Sequence, residues 1–215
     1  LPMAMALVSM PQTHEQWTSW GAMPLGKLNG KVRRVGLNFG APGDRVTESG
    51  TLWLDYPSVG GPSPDLPIKV SPDKVTYRYH HSLRVKGGQG WPWIAASLAE
   101  GIESLRMKGL SKGKYLLRLT FLEPDHLLAG ERVFDVLVQG KKLLSKYDVV
   151  KASGGDMRSI VESFEGISID DSILIKFRAI EGAPLLSGLE LIREDLPTKQ
   201  PIKLAERTVR FGPFR

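Results

Sequence analysis

The chain has 215 residues, of which 41% are hydrophobic and none is cysteine, and its formal net charge is +6 at pH 7. This length suits one sandwich-sized domain with flanking segments better than two independent cores. The lack of cysteine excludes disulfides, thiolate metal sites and cysteine nucleophiles, and no apolar run is long enough for a membrane-spanning helix.

The basic residues are concentrated near the two ends of the chain, at residues 27–34 and 199–215. A surface for nucleic acid would need base-stacking aromatic residues among the basic ones. The middle of the chain instead mixes both signs of charge, and it contains no known nucleic-acid motif. We therefore expect solvated ends or docking on a neighbouring domain, and no nucleic-acid partner.

Residues 1–34 are rich in Met, Pro and Gly, and we interpret them as a connecting segment from a preceding domain. Trp17 and Trp20 would pack this segment on the main domain. We predict that residues 35–195 form a β-sandwich, and that residues 196–215 are a basic C-terminal extension outside it. No segment resembles a signal peptide, so the sequence is interpreted as a piece of a longer, exported protein.

Residues 35–39 predict a short apolar strand. Two candidate site residues, Trp53 and Tyr56, follow in or beside predicted loops, and Asp55 is a candidate acceptor near them. After a Pro-rich loop at residues 61–72, Tyr77 and Tyr79 alternate with polar residues. Trp91 and Trp93 then lie in a glycine-rich loop at residues 87–93. Such a loop offers little to bury them, so we expect this pair to be exposed.

The middle of the chain gives the clearest strand patterns. One strand is predicted from the alternation of Tyr115, Leu117, Leu119 and Phe121. It ends at residues 123–125, because proline cannot donate to a ladder and acidic residues favour turns. A second strand carries Phe134, Val136 and Val138 on one face, and Gly140 suits the tight turn after it. We predict that these two strands pair as an antiparallel hairpin around the acidic loop.

Further strands are predicted at residues 101–107, 159–164 and 172–178, and residues 182–192 are predicted to be the closing strand with its lead-in. In the third of these, Ile173, Ile175 and Phe177 share one face. The sequence as a whole therefore predicts an all-β fold.

Two groups of residues resemble the malectin and malectin-like carbohydrate-binding domains. The first group is Gly113, Tyr115, Leu119, Phe121 and Glu123, then Gly130, Arg132, Phe134, Asp135, Val136 and Gly140. The second group is Trp53, Asp55, Tyr56, Gly60 and Gly61. Residues 184–191 are also similar to the last strand of that family.

The resemblance implies a β-sandwich of jelly-roll type that binds sugars on loops at one end and is not itself an enzyme. By this resemblance, Tyr56 and either Tyr77 or Tyr79 correspond to the aromatic residues that contact the ligand in the family. The Leu122 position and the Trp91–Trp93 loop differ from the family pattern, so the sugar specificity is not inherited.

Sugar recognition has a simple physical basis. The apolar face of a pyranose stacks on an exposed aromatic ring, while its hydroxyls pair with carboxylates, amides and arginine. The candidate ligand-binding residues are Trp53, Asp55, Tyr56, Tyr77, Tyr79, Trp91, Trp93, Glu123 and Asp125. The competing interpretations are that several of these rings belong to the core, and that Glu123 pins its loop by a hydrogen bond.

Two other functions, and a metal or cofactor site, compete with sugar binding. A polysaccharide-degrading enzyme would need two acids at a defined separation, and Glu123, Asp125, Asp55 and His126 form no recognised pattern. A spacer or protein-interaction domain without a sugar ligand remains an alternative. Cofactors are not expected; adjacent His80 and His81 cannot chelate one ion together, and Asp170 with Asp171 is too little for a structural Ca²⁺.

The sequence thus predicts a non-catalytic carbohydrate-binding module in a larger protein. Its partners would be an oligo- or polysaccharide and neighbouring domains. Its location would be extracellular, periplasmic or at the cell surface. The absence of an Asn-x-Ser/Thr acceptor favours a bacterial source.

Overall fold

The computed structural model of the chain describes residues 31–41, 43–58 and 66–206. Most of the predicted connecting segment, with Trp17 and Trp20, lies outside the described residues, as do Gly60 and Gly61.

The described residues form mainly strands, as the sequence predicts. The first eight are β1 (Arg34–Phe39), β2 (Arg45–Val46), β3 (Leu52–Tyr56), β4 (Ile68–Ser71), β5 (Thr76–Tyr79), β6 (Gly87–Gln89), β7 (Ser97–Glu100) and β8 (Ser104–Lys108). The other eight are β9 (Gly113–Leu122), β10 (Val133–Val138), β11 (Lys141–Asp148), β12 (Arg158–Ile169), β13 (Ser172–Glu181), β14 (Leu185–Leu186), β15 (Gly188–Arg193) and β16 (Lys203–Leu204).

Helical structure is limited to α1 (Pro92–Ala95), α2 (Val149–Ser153) and a 3₁₀ turn at Ser82–Arg84. In the described part of the chain, no helix has both the length and the apolar character needed to cross a bilayer.

Three sheets are built from these strands. The large sheet has eight strands in the order β16-β6-β12-β9-β15-β1-β3-β2, and the second has five in the order β11-β10-β13-β8-β4. A small sheet, β14-β7-β5, completes the fold. Most neighbours are antiparallel, whereas β1 runs parallel to β3 and β6 parallel to β12. The all-β prediction is confirmed at this level.

The core lies between the large sheet and the five-stranded sheet. The predicted alternation holds, because the four residues of β9 from Tyr115 to Phe121 that were expected on one face are fully buried. Phe121 of the large sheet packs on Phe134 of the other, with ring centroids 5.9 Å apart. Tyr147 joins them at 5.1 Å from Phe121. Contacts between the two sheets therefore involve three aromatic rings.

The predicted hairpin of β9 with β10 is wrong. Strand β9 pairs with β12 and β15, whereas β10 pairs with β11 and β13 in the opposite sheet. Residues 123–132 therefore cross from one sheet to the other. Alternation identifies strands and their buried faces but not their partners. Two strands that face each other across a core show the same pattern as two strands of a hairpin.

The tight turn at Gly140 is confirmed, and it closes a hairpin of β10 with β11. Val138 pairs with Lys141 across it. Both central residues have positive φ, 50° at Gln139 and 84° at Gly140, as the two-residue type I′ turn requires.

Residues 196–206, predicted to lie outside the domain, contact the sandwich. Strand β16 pairs with β6, placing Lys203 opposite Gln89. Gly90 also donates its backbone N–H to the Ile202 carbonyl at 2.7 Å. The described part of this extension therefore continues along the large sheet, while the exact domain bounds stay a prediction.

Replacement of Phe134 by alanine should be strongly destabilising. The ring is fully buried and contacts aromatic rings from both sheets. We expect a loss of about 3–5 kcal/mol in the free energy of unfolding, measured by chemical denaturation. Leu137→Ala, on the half-buried opposite face of the same strand, is the control and should cost clearly less. Equal losses in both variants would contradict this account of the core.

Candidate functional site

The structure divides the sequence-predicted site residues into separate groups. We name them the tryptophan cluster (Trp53, Trp91, Trp93), the tyrosine edge (Tyr56, Tyr77, Tyr79) and the acidic crossover (Glu123, Asp125). Asp55 stands apart from them, because it is 4% exposed and its carboxylate accepts from the Gly43 backbone at 3.2 Å. Trp53, Tyr56, Tyr77 and Tyr79 were expected in or beside loops. All four are strand residues, and Tyr56 and Tyr79 are the last residues of their strands.

The tryptophan cluster covers the outer face of the large sheet, the face turned away from the core. Trp53 projects from β3 and lies over Gly36 of β1. A Cβ atom on Gly36 would come within 2.2 Å of Trp53 Cδ2, and one on Gly188 within 3.2 Å of Trp53 Cζ3. Glycine at these two positions leaves the space that the indole fills, so Trp53 is only 3% exposed.

Trp93 is 9% exposed, and the expectation that the Trp91–Trp93 pair is exposed is therefore wrong for Trp93. Pro92 begins helix α1, a position that suits its fixed φ. The helix turns Trp93 onto Trp53, edge to face, with centroids 5.8 Å apart. Arg45 lies 4.9 Å above the Trp93 ring. Trp91, which precedes the helix, remains half-buried.

A groove of about 370 Å³ opens beside this cluster. Trp53, Arg118, Thr120 and Glu190 are among the residues that line it on the sheet, and Trp91 and Ile94 line it on the helix side. Residues 199–202 also line the groove. Arg118 donates to the Lys199 carbonyl at 2.5 Å, which fixes the chain there.

The floor of the groove holds a buried ion pair. Arg118 Nη1 lies 3.1 Å from Glu190 Oε2, and the side chains are 11% and 9% exposed. Thr51 donates its hydroxyl to the other oxygen, Glu190 Oε1, at 2.6 Å. Sequence reasoning did not identify this pair as part of a site. The available signal was the alternation in β9, which places Arg118 on the face opposite to that of the core residues.

The tyrosine edge is partly core. Tyr56 packs on Phe39 and Tyr77, with ring centroids 5.9 Å and 6.1 Å apart. Burial, with the nearby Tyr56 as a smaller cause, raises the pKa of Tyr77 to about 12. Tyr79 differs from the other two because it is 60% exposed. This edge offers one accessible ring and lies in a different part of the fold from the groove.

The acidic crossover is tied to two arginines. Glu123 is fully buried and accepts from Arg132 Nε at 2.7 Å and from the Asp125 backbone at 3.0 Å. Asp125 accepts from Arg78 through both oxygens, at 2.7 Å and 2.5 Å, and from Arg132 at 3.0 Å. Glu100 contacts both arginines. Glu123 therefore has the loop-pinning role weighed from the sequence, and burial excludes it from contact with a ligand.

The two acids of the crossover respond to these surroundings in opposite ways. The hydrogen bonds and charge of Arg78 lower the pKa of Asp125. Burial raises the pKa of Glu123, although Arg132 and the Asp125 backbone N–H act against that effect.

Metal ligands do not converge anywhere in the described ranges, since no group of three His, Asp or Glu side chains could hold an ion. Asp170 and Asp171, the pair weighed for calcium, contact Lys112 and Lys31 instead. His81 caps the 3₁₀ turn by accepting from the Leu83 backbone at 3.1 Å.

Comparison with known families gives one match. Residues 101–198 match the model of the Malectin domain, which confirms the resemblance to the malectin family over the strands from β8 to β15. The matched range contains the acidic crossover and the Arg118–Glu190 pair. Trp53 and Trp91 precede it, so the aromatic part of the groove lies outside the matched range. No curated protein matches the chain.

Solved structures share the fold at low sequence identity. A β-glucuronidase 2 mutant of Bacteroides uniformis matches with a TM-score of 0.59 and 17% identity, over 74% of this chain and 18% of that one. The plant receptor-like kinase ANX2 gives a TM-score of 0.57, 15% identity and coverages of 73% and 46%. The ANXUR2 extracellular domain of Arabidopsis thaliana gives 0.55, 14%, 75% and 48%. The chain thus spans less than half of each of these proteins.

Loss of Arg132 should destabilise the domain, because it leaves the buried carboxylate of Glu123 without its cation. For Arg132→Met we expect a loss of about 3–5 kcal/mol in unfolding free energy, measured by urea denaturation. Arg178→Met removes an exposed arginine from the neighbouring strand β13 and should change stability by less than about 0.5 kcal/mol. A mild effect of Arg132→Met would show that the crossover does not depend on this pair.

The contribution of Asp125 to the free energy of unfolding should be lost at acidic pH. Its pKa is lowered in the folded state, so its stabilising effect is complete above the ordinary value of 3.8 and is lost as the pH falls through the lowered one. Asp125→Asn should cost about 1–3 kcal/mol at pH 7 and less below pH 3.8, measured by denaturation at each pH. The raised pKa of Glu123 has the opposite effect on the free energy of unfolding. Its stabilising contribution is complete below the ordinary value of 4.5 and is lost as the pH rises through the raised pKa.

The exposed Asp73 provides the matched control, because Asp73→Asn makes the same chemical change on a surface turn. Its effect should be small at every pH. A cost of Asp125→Asn that does not vary with pH would contradict the assignment.

Proposed function

We propose that this domain is a non-catalytic carbohydrate-binding module, and that the groove beside the tryptophan cluster holds the glycan. The observation that carries the proposal is the combination of Trp91, half-buried on one wall, with the Arg118–Glu190 pair on the floor. An aromatic wall beside fixed polar groups suits a sugar, which has apolar ring faces and a rim of hydroxyls.

The size of the groove supports a small ligand. Its volume of about 370 Å³ is at the lower end of the range for small-molecule sites. It would therefore enclose one or two sugar units, or the end of a longer chain. Glu48, Lys199 and Gln200 line the groove as well, and they add exposed hydrogen-bonding groups near its mouth.

The buried polar groups favour recognition over catalysis. Both oxygens of Glu190 accept hydrogen bonds, one from Arg118 and one from Thr51. Both oxygens are thus held by donors of this chain, which suits a fixed part of a binding surface better than a proton-transferring group. The acids weighed for an enzyme, Glu123 and Asp125, are bound to arginines in the crossover. These contacts support recognition over the polysaccharide-degrading alternative.

The wider setting follows from the matches. The Malectin-domain match and the extracellular domains among the similar structures support a place outside the cell in a larger protein. We assign the sandwich to the jelly-roll type, because its two main sheets face each other and most neighbouring strands are antiparallel. Docking on a neighbouring domain would involve the basic ends.

The variant Trp91→Ala tests whether the groove binds the glycan. Removing the ring should weaken glycan binding at least about tenfold, which corresponds to about 1.4 kcal/mol, because the stacking surface is lost. The measurement is a calorimetric titration of the wild type and the variant with soluble oligo- and polysaccharides. Intrinsic fluorescence gives a second readout, since Trp53 remains in the lining of the groove.

Tyr79→Ala is the matched control, because it removes an exposed aromatic ring from the tyrosine edge. It should leave binding unchanged while the variant keeps its thermal unfolding temperature. Loss of binding in Tyr79→Ala alone would place the glycan at the tyrosine edge and refute the groove. A folded wild type that binds none of the panel would refute the glycan function and favour the spacer interpretation.

A further inference from the structure

The outer face of the five-stranded sheet is strongly basic. The register places cations at outward positions of four strands, namely Lys69 on β4, Arg106 and Lys108 on β8, Lys176 and Arg178 on β13, and Lys142 on β11. All six are exposed. One acid, Asp135 of β10, lies opposite Arg178, but it is buried and bound to Lys142.

Five of these cations have no ion-pair partner among the residues that the structure describes. Lys69 lies directly opposite Arg106 on the neighbouring strand. Like charges in this position are unfavourable within a sheet, whereas a carboxylate would be favourable there. The chain thus retains a repulsive arrangement that an external anion would relieve.

The surface is extended and concave. Lys108 lies opposite Ser172 and Arg178 is six residues further along β13, so the array is about 20 Å long. A trough of about 810 Å³ covers part of it and is lined by Ser104 and by two of the cations, Lys176 and Arg178. Glu103 is the acidic residue among the lining side chains. The trough can therefore hold part of a linear polymer, and the other cations extend the row on the exposed face beside it.

We infer that this basic sheet face, defined by Lys69, Arg106, Lys108, Lys176 and Arg178, is a second docking surface, and that it binds a linear acidic polysaccharide. Carboxylate or sulfate groups along the polymer would pair with the cations. Ser71, Ser104 and Ser172, at outward positions between them, would bond to sugar hydroxyls. This face is on the opposite sheet from the groove, so the inference does not depend on the groove.

The same features disfavour nucleic acid. The described strands of this face present no outward aromatic side chain on which bases could stack. This sheet face also has no projecting helix or ribbon to enter a duplex groove. The net charge of +6 contributes to any polyanion's binding, so the test must separate the position of the charges from their number.

The experiment measures the affinity of heparin by calorimetry as a function of salt concentration. The triple variant Lys69→Gln/Arg106→Gln/Lys176→Gln removes three charges from the face. The control Lys114→Gln/Lys151→Gln/Lys203→Gln removes three exposed lysines elsewhere. We expect the first to bind at least about tenfold more weakly and with a shallower salt dependence, and the control to bind as the wild type does within about threefold.

Chemically desulfated heparin, which keeps its carboxylates, separates the two anionic groups. Binding of either polymer that depends on the face supports the inference. Equal losses in both triple variants would overturn it, because net charge alone would then account for binding. Tighter binding of duplex DNA or of phosphatidylserine vesicles than of heparin would overturn it as well. Thermal unfolding checks that both variants fold, and Trp91→Ala should retain heparin binding.

Discussion

The ion pair between Glu123 and Arg132 governs the crossover from one main sheet to the other. It fixes residues 123–132 where the chain leaves β9 and before it enters β10. Both side chains are almost fully buried, and a buried charge is tolerated only when a partner and further hydrogen bonds satisfy it. The second arginine, Arg78, extends the network to the small sheet through Asp125 and Glu100. One cluster of charges therefore sets the relative positions of all three sheets.

This role explains the most recognisable part of the sequence. The residues that carry the resemblance between positions 113 and 140 are structural: Phe134 belongs to the core, Gly140 forms the hairpin turn, and Asp135 accepts from the Lys146 backbone. None of these roles brings a residue to an accessible ligand surface. A match to a fold family can thus rest on residues that build the sandwich, while Trp53 and Trp91, the aromatic part of the groove, lie outside the matched range.

The sequence predicted the strands well, because alternation is a local property and each of these strands buries one side. It could not predict which strands pair, since β9 and β10 face the core from opposite sheets with the same pattern. The sequence also could not predict that Trp93 is buried. The glycines that accommodate the tryptophan cluster, Gly36 and Gly188, are distant in sequence from Trp53. Their packing against Trp53 depends on tertiary structure. For the same reason, Glu190 could not be placed beside Arg118 before β15 was known to pair with β9.

The two outer faces of the sandwich differ in chemistry, and the difference follows from what covers them. On the large sheet, helix α1 and residues 199–202 lie over the strands, so aromatic rings and a buried ion pair are sheltered in a groove. The outward positions of the five-stranded sheet instead carry exposed cations such as Arg106 and Lys176. A sheltered aromatic site discriminates by shape and stacking, whereas an open cationic face attracts extended anions over a distance. On the proposals above, the cationic face would hold a polymer by its charges, and the groove on the opposite sheet would select among its sugar units.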